Sequence, residues 1–247
     1  MSYELGHDVS QAVSRAVSQA VSPALSSAAN PAAPLRCALH GAAQARPALQ
    51  VLAVDCSDAA GQGDAAQRAL ARQRVRAVLL QHAGPDIASP LLAAPRMAAG
   101  GGQVSISHGA GLSLVAWGIN LQIGVDLVDL AQLGDALPQT LADTAALYLG
   151  RKVAKRLHRE GTTPALWRRR FAQAWARYEA SLKCLGLTLD EWTPAMQARL
   201  SGCATAVLAL PVGLPGDSAR WVAAVAWRAD SATGAQAPPV PTPGLGH

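Results

Sequence analysis

The stretch QIGVDLVDL, residues 122–130, decides the fold of this chain. The run is short, rich in apolar and β-branched side chains, and has Gly124 near its start, which predicts a strand. Alternation along a strand directs Val125 and Leu127 to one face and Asp126 to the other. A charged residue is seldom buried unless it is paired or binds a metal. Asp126 therefore either faces solvent or belongs to a site, and the run by itself favours solvent.

Further strands and helices are predicted on both sides of this run. Strand patterns occur at residues 48–55, 104–107, 112–117 and 221–227, and the second and third form a hairpin around residues 108–111. Helical spacing occurs at 64–82, 138–159 and 164–185, with Gly186 at the last C-cap. A glycine-rich turn is expected at 97–102. This order predicts an α+β fold of two pseudo-symmetric halves, each a small, mainly antiparallel sheet packed against helices.

Composition divides the chain into four segments. Residues 1–45 include the repeat VSQA-VSRA-VSQA-VSPA at 9–24, which predicts a low-complexity, disordered extension. Residues 46–121 form the N-terminal half of the folded core and residues 122–230 the C-terminal half. Residues 231–247 are rich in Pro and Gly and are expected to be a disordered tail.

The overall composition is that of a globular protein that binds anions. Hydrophobic residues make up 50% of the 247 residues and charged residues 15%, and no apolar run reaches the ~20 residues that a membrane-spanning helix needs. No secretory signal is recognisable, so the cytoplasm is the expected location. The net charge of +5 and the pI of about 9.4 favour anionic partners.

The four cysteines show no metal-binding or redox motif in the sequence. Cys37, Cys56, Cys184 and Cys203 are widely spaced and lack the C-x-x-C pattern. Each is expected to be a buried or half-buried thiol in a reducing compartment.

A second informative stretch is WARYEASLKCLG, residues 175–186. Glu179 and Lys183 lie four residues apart on one helical face, and Trp175 precedes Glu179 by one turn. An exposed ion pair at this spacing contributes only ~0.3–0.5 kcal/mol, and an ordinary surface pair is the simplest interpretation. Ser107-His108 before Gly109 is equally unspecific when taken alone.

Taken in order, these segments resemble a known enzyme family. Ser107-His108, then Gly124-Val125-Asp126, then W-x-x-x-E-A-x-x-K-x-x-G at 175–186 are similar to the motifs of the 4′-phosphopantetheinyl transferase superfamily. The resemblance spans residues 48–228. The length is similar to that of the larger, surfactin-synthetase-activating-like type, which implies a monomer of two pseudo-symmetric halves.

The resemblance implies a reaction and a site. Asp126 and Glu179 would bind Mg²⁺, with Mn²⁺ as an alternative, and Lys183 would bind the phosphates of the substrate coenzyme A and stabilise the leaving group. A serine of an acyl or peptidyl carrier protein would attack the β-phosphate and release 3′,5′-ADP, with Glu179 taking the proton. Ser107 and His108, at a turn between strands, would contact the coenzyme A phosphates.

Three arginines are further candidates for phosphate contacts. Arginine matches phosphate geometry well, and Arg68 and Arg76 on the first helix, with Arg96 in the loop before the glycine run, could bind the 3′-phosphate or another phosphate. A solvated helix face is an equally good explanation of Arg68 and Arg76.

The chain departs from the family pattern at two positions. The metal-binding strand of the larger type usually has a second acidic residue where Val128 stands here, and Asp129 follows one residue later. Tyr178 occupies a position that is usually lysine. The third metal ligand is therefore open between Asp129 and water, and water is favoured.

A basic run precedes Glu179 in the sequence and predicts a docking surface for an acidic carrier protein. Its cations are Arg151, Lys152, Lys155, Arg156, Arg159, Arg168, Arg169 and Arg170, with only Glu160 opposing them.

Two alternatives to the enzyme stay open. One is a homologue that binds coenzyme A or a carrier without turnover, because Val128 and Tyr178 depart from the family pattern. The other is a basic nucleic-acid-binding protein, although few aromatic residues are interleaved with the basic ones and no recognition motif occurs, which makes nucleic acid the weaker interpretation.

Overall fold

The computed structural model describes residues 35–36, 38–39, 49–57, 64–84, 102–134, 138–211, 214 and 218–229. Within these ranges the fold is α+β, with two antiparallel sheets and five α-helices, as the sequence predicts at this level. Arg96 and the glycine-rich turn up to residue 101 lie outside the described residues.

In the described part of the chain, eight strands form the two sheets. They are β1 (Leu35–Arg36), β2 (Ala38–Leu39), β3 (Leu49–Asp55), β4 (Gly102–Gly109), β5 (Leu112–Ile119), β6 (Leu121–Asp129), β7 (Ala204–Ala209) and β8 (Trp221–Ala229). The first sheet has the order β1-β3-β5-β4 and the second β2-β7-β8-β6. Each sheet thus has three long strands and one two-residue strand at its edge.

Five α-helices lie within the described residues. They are α1 (Asp64–Ala83), α2 (Pro138–Thr144), α3 (Arg151–Glu160), α4 (Pro164–Leu185) and α5 (Pro194–Leu200). The boundaries of α4 follow from local chemistry: the Thr163 hydroxyl accepts the Leu166 N–H at 3.2 Å, Pro164 begins the helix, and Gly186 ends it with φ +66°. These boundaries agree with the predicted 164–185.

The predicted helical region at 138–159 is divided into three helical segments. Residues Ala145–Leu149 form a π-helical turn after α2, and Gly150, with φ +85° and ψ 152°, separates it from α3. A side chain at Gly150 would also collide with the Trp192 ring, 2.8 Å from an added Cβ. The sequence pattern therefore predicts the helical segments but not the break between them at Gly150.

The two sheets share one core and carry helices on their outer faces. Odd-numbered residues of β3 and β6, such as Val51 and Val125, lie in one apolar cluster with Leu114 of β5 and Val225 of β8. The opposite face of the first sheet packs against α1, and that of the second packs against α4. Helices α2, α3 and α5 surround α4 in a further cluster rich in aromatic rings.

Edge strands β4 and β6 join the sheets through side chains rather than through a backbone ladder. The side-chain oxygens of Gln103, Ser105 and Ser107 accept the backbone N–H groups of Ile123, Val125 and Leu127 at 2.9, 3.0 and 3.2 Å. Alternate residues of β4 therefore satisfy alternate donors of β6. We call this line of contacts the β4–β6 seam.

Some elements were not predicted. Strand β7 and helix α5 fall in a region to which no element was assigned, and β1 and β2 fall within the predicted 1–45 extension. The rest of that extension and the 231–247 tail lie outside the described residues. The division of the core at residues 121 and 122 stays a prediction; Asn120, with φ +57°, links β5 to β6 there.

No helix in the described part of the chain is both long and apolar enough to span a membrane.

Candidate functional site

Asp126 does not face solvent. It lies in the middle of β6, where Val125 and Leu127 point into the shared core and Asp126 points to the opposite face, beneath α4. Its exposed fraction is only 7%. The solvent-facing interpretation that the run by itself favours is therefore wrong, because the other face of this strand is covered by a helix.

Gly124 permits the helix to lie this close. A Cβ at Gly124 would be 1.9 Å from the Ala180 carbonyl oxygen and 2.5 Å from the Cys184 backbone nitrogen. Only a residue without a side chain lets the α4 backbone rest on β6 at this point. The same approach brings the polar side chains of α4, Glu179 and Lys183, over Asp126.

Lys183 reaches across the β4–β6 seam. Its Nζ donates to Asp126 Oδ1 at 2.7 Å, to the Val125 carbonyl at 3.2 Å and to Ser107 Oγ at 3.4 Å. Ser107 Oγ in turn donates to Asp126 Oδ1 at 3.1 Å. Lys183 is 32% exposed and Asp126 only 9% by side chain, so the pair is open to solvent on the lysine side. Lys183 therefore pairs with Asp126 across the seam, whereas the i, i+4 spacing predicts a surface pair with Glu179.

Glu179 stands beside the same carboxylate. Burial, and then the negative charge of Asp126, raise the pKa of Glu179 from 4.5 to about 7, while Lys183 and a hydrogen bond with the Trp175 side chain oppose the rise. Trp175 is buried between Tyr148, Phe171 and Tyr178, with ring centroids 5.7–6.0 Å away. The aromatic cluster therefore fixes the Trp175 side chain, which forms the hydrogen bond with Glu179.

Neither Val128 nor Tyr178, the two residues that differ from the pattern of the resembled family, supplies a metal ligand beside Asp126. Val128 packs against the helices on the α4 side of β6 and brings no oxygen ligand. Tyr178 is buried in the aromatic cluster, where its hydroxyl donates to the Asp190 carbonyl at 2.8 Å. Burial is the main cause that raises the pKa of Tyr178 to about 12.

Asp129 belongs to a different contact. Its carboxylate accepts Arg220 Nε at 2.7 Å and Nη2 at 2.5 Å, and also the Ala131 N–H at 2.9 Å. An offset of three residues along a strand places Asp129 on the face opposite Asp126. Asp129 therefore anchors the end of β6 and does not extend the Asp126 site.

Ser107 and His108 both lie within β4, paired with Leu114 and Ser113, and not at the turn where they were expected. His108 Nδ1 is 2.8 Å from Ser113 Oγ, and the residue is partly open to solvent. Desolvation, then the charges of Lys183 and Arg72, lower the pKa of His108. The neutral form of the imidazole is therefore favoured.

The charge of Arg72 on α1 lowers the pKa of His108, and Arg72 was not among the phosphate-binding residues predicted from the sequence. Arg68 and Arg76 are exposed on α1, and within the described residues neither forms a hydrogen bond or ion pair with Ser107, His108 or Asp126. Arg68, Arg72 and Arg76 are spaced by four residues, so the sequence already indicates that they share one face of α1. The packing of α1 on the first sheet is what singles out Arg72 as the arginine whose charge acts on His108.

Two neighbouring carboxylates beside one lysine fit a hard divalent cation. Asp126 and Glu179 supply oxygen ligands. Burial, and then the charge of Asp126, raise the pKa of Glu179, and a cation would relieve the repulsion between the two carboxylates. Among the described residues no group of three or more His, Cys, Asp or Glu side chains could hold a metal. Mg²⁺ commonly binds one or two carboxylates and retains waters, so the donor set suits this ion.

A cavity of about 420 Å³ adjoins the site on the far side of Lys183. Its polar lining comes from Gln103, Ser105, Gln122, Lys183 and Arg228, with Cys184 and Gly186 at the end of α4. Arg228 Nε donates to Gln122 Oε1 at 2.5 Å. The lining therefore presents two cations and no carboxylate.

The basic run separates into anchoring and exposed residues. Arg168 Nη1 donates to the Gly134 carbonyl at 2.7 Å, and Arg169 Nη1 donates to the Ala219 carbonyl at 3.1 Å. Arg156 and Arg170 are exposed, and their charges, after desolvation, lower the pKa of Arg177. Arg156, Arg170 and Arg177 thus form a surface of concentrated positive charge, which we call the basic face.

Comparison with models of known protein families found no match for this chain, and comparison with curated proteins found none either.

Proposed function

We propose that this protein transfers the 4′-phosphopantetheine group of coenzyme A to a serine of an acyl or peptidyl carrier protein and releases 3′,5′-ADP, with Mg²⁺ or Mn²⁺ as cofactor. The observation that carries the proposal is the convergence of Asp126, Glu179, Lys183 and Ser107 at the β4–β6 seam. These residues come from three sequence segments, and each segment taken alone is unspecific.

The side chains suit phosphoryl transfer, which depends on positioning and on neutralising charge. When bound, the cation would be held by Asp126 and Glu179 and would neutralise charge on the pyrophosphate. Lys183 already reaches across the seam with a partly exposed ammonium group and can turn to the phosphates. Ser107 and His108 beside it, with Arg72, are further phosphate contacts.

Glu179 can act as the base. A carboxylate whose pKa is about 7 both exists in the ionised form near neutral pH and accepts a proton more readily than an ordinary glutamate. In the proposed step the serine oxygen bonds to the β-phosphorus, the bond from that phosphorus to the 3′,5′-ADP oxygen breaks, and the serine proton passes to Glu179 directly or through water.

The strand order supports the proposed pseudo-symmetry. In each sheet the three long strands lie side by side in the order first, third, second along the chain: β3-β5-β4 in one sheet and β6-β8-β7 in the other. In both sheets helices follow the first of these strands in the sequence. The seam then lies between corresponding halves. Both carboxylates come from the C-terminal half, and a single chain therefore supplies the proposed site, which suits a monomer.

The basic face is the proposed docking surface for the acidic carrier. Arg170→Glu and Arg156→Glu should raise the carrier KM and weaken its salt dependence, whereas Arg199→Glu, an exposed charge reversal on α5, should not. Arg169 is a poor choice for this test because it anchors the Ala219 carbonyl. An unchanged carrier KM in Arg170→Glu would contradict docking at this face.

The experiment that tests the function is direct transfer. The full-length protein is incubated with coenzyme A, Mg²⁺ and a set of apo carriers from fatty-acid, polyketide and peptide synthesis, and the intact mass of each carrier is measured. Addition of phosphopantetheine to at least one carrier, lost in Asp126→Ala and Glu179→Ala proteins that still fold, is the expected result.

The rivals give different outcomes in the same experiment. A non-catalytic homologue would bind coenzyme A or a carrier without any mass addition. A nucleic-acid-binding protein would show neither property and would instead bind oligonucleotides tightly with a steep salt dependence.

A further inference from the structure

Two thiols lie next to each other where α4 meets β7. The Sγ atoms of Cys184 and Cys203 are 3.7 Å apart. Cys184 directly follows Lys183 and is buried, whereas Cys203 stands one residue before β7 and is half-buried. Cys184 Sγ also donates to the Gln122 carbonyl at 3.3 Å, which fixes its side chain against β6.

In the reduced pair Cys203 Sγ donates to Cys184 Sγ, and Cys184 donates its own proton to the Gln122 carbonyl. Of the two thiols, Cys203 is the one that loses its proton more readily. The hydrogen bond with Cys184 is the largest influence that lowers the pKa of Cys203 to about 7; burial opposes it, and the positive charge of Arg228 assists it. The same hydrogen bond and burial raise the pKa of Cys184. A thiolate that is half-buried and close to a cation is the reactive form of cysteine.

A small reagent can reach this pair. Cys184 lines the cavity beside Lys183, and Arg228 lies in the same wall. Cys203 is itself partly open to solvent. Cys56, by contrast, is only 2% exposed and directly follows β3, with its Sγ 3.5 Å from Ser113 Oγ.

We propose that Cys184 and Cys203 form a reversible redox modification site, which a small two-electron oxidant such as hydrogen peroxide converts to an intramolecular disulfide. The proposal rests on the placement of the two sulfurs and does not depend on the proposed function. The thiols need to approach from 3.7 Å to about 2 Å for the bond to form, a movement within reach of side-chain rotation.

The chemistry is balanced as follows. The Cys203 thiolate attacks one peroxide oxygen, the O–O bond breaks, and the departing hydroxide takes a proton to become water, which leaves Cys203 as a sulfenic acid. The Cys184 sulfur then attacks the Cys203 sulfur, the S–O bond breaks, and the released hydroxide takes the Cys184 proton. Two thiols are oxidised to one disulfide, and one peroxide is reduced to two waters.

Peptide mapping tests the proposal. The full-length protein is reduced, freed of reductant, treated with hydrogen peroxide, alkylated and digested with trypsin, which cuts after Lys183, Arg199 and Arg220. The two thiols then lie in separate peptides, 184–199 and 200–220. The expected product is a disulfide between these peptides, formed with the loss of two hydrogen atoms from the intact mass and reversed by dithiothreitol.

Variants identify the roles of the two sulfurs. Cys184→Ser keeps a donor for the Gln122 carbonyl, and it should stop oxidation at a Cys203 sulfenic acid that dimedone traps. Cys203→Ser should leave Cys184 unreactive, and Cys56→Ser, the matched control, should form the cross-link like the wild type. Oxidation of the wild type without the 184–199 to 200–220 cross-link, whether to sulfinic acid or to a disulfide with Cys37, would overturn the proposal.

Discussion

Replacement of Glu179 by glutamine should stabilise the metal-free protein at alkaline pH and leave it unchanged at acidic pH. The folded protein raises the pKa of Glu179 from 4.5 to about 7 because the carboxyl is buried beside Asp126. The folded state therefore holds this proton more tightly than the unfolded chain does. Stability from this group is greatest below pH 4.5 and is lost as the pH rises towards 7.

The magnitude follows from the size of the shift. A rise from 4.5 to about 7 corresponds to at most about 3.4 kcal/mol of unfolding free energy. Glu179 is partly open to solvent, which reduces this limit, so we expect Glu179→Gln to be about 2 kcal/mol more stable than the wild type at pH 8. The glutamine oxygen can still accept the hydrogen bond from Trp175, so the substitution removes the charge and keeps the contact.

Urea unfolding in the presence of a chelator, at half-unit steps from pH 5 to pH 8, measures the difference. The gap between Glu179→Gln and the wild type should open between pH 5 and 7.5 and then level off. Excess Mg²⁺ at pH 8 should stabilise the wild type and narrow the gap, because a cation favours the ionised carboxylates. Parallel curves for the two proteins at all pH values would refute the placement of Glu179 beside Asp126.

Two further substitutions test the packing around the site. Gly124→Ala places a Cβ 1.9 Å from the Ala180 carbonyl and should cost at least about 3 kcal/mol in urea unfolding, whereas Gly202→Ala, whose Cβ would be 3.4 Å from the nearest atom, should cost less than about 1 kcal/mol. Asp129→Asn breaks the pair with Arg220 and should lower stability by about 2 kcal/mol without weakening Mg²⁺-dependent coenzyme A binding, because Asp129 lies on the opposite face of β6. Equal losses in the two glycine variants, or loss of coenzyme A binding in a folded Asp129→Asn protein, would show that these roles are misassigned.

The sequence was most informative where one local pattern controls one element. The period-two run at 122–130 predicts β6, and Pro164 with Gly186 marks both ends of α4 to the residue. The sequence was least informative where the environment of a residue depends on contacts with residues far away in the sequence. The burial of Asp126 depends on α4 covering β6, and that contact requires Gly124 to face Ala180.

The missed elements also have physical causes. Strand β7 is alanine-rich, ATAVLA, and gains its stability from pairing with β8 rather than from intrinsic strand preference. The break at Gly150 lies inside a helical pattern and depends on a positive φ that composition does not reveal. The β4–β6 seam has a period-two signal, Gln103, Ser105 and Ser107, which alternation alone would assign to solvent.

The central claim is that Asp126 and Glu179 together hold a metal that binds the phosphates of coenzyme A. Calorimetric titration of coenzyme A into the wild-type protein, with Mg²⁺ and then with excess chelator, measures this most directly, with Asp126→Asn as the comparison. We expect binding that the chelator weakens at least about tenfold, a loss of about 1.4 kcal/mol, and an Asp126→Asn protein whose weak binding no longer responds to Mg²⁺. Equal affinity with and without Mg²⁺, or wild-type behaviour in Asp126→Asn, would contradict the claim.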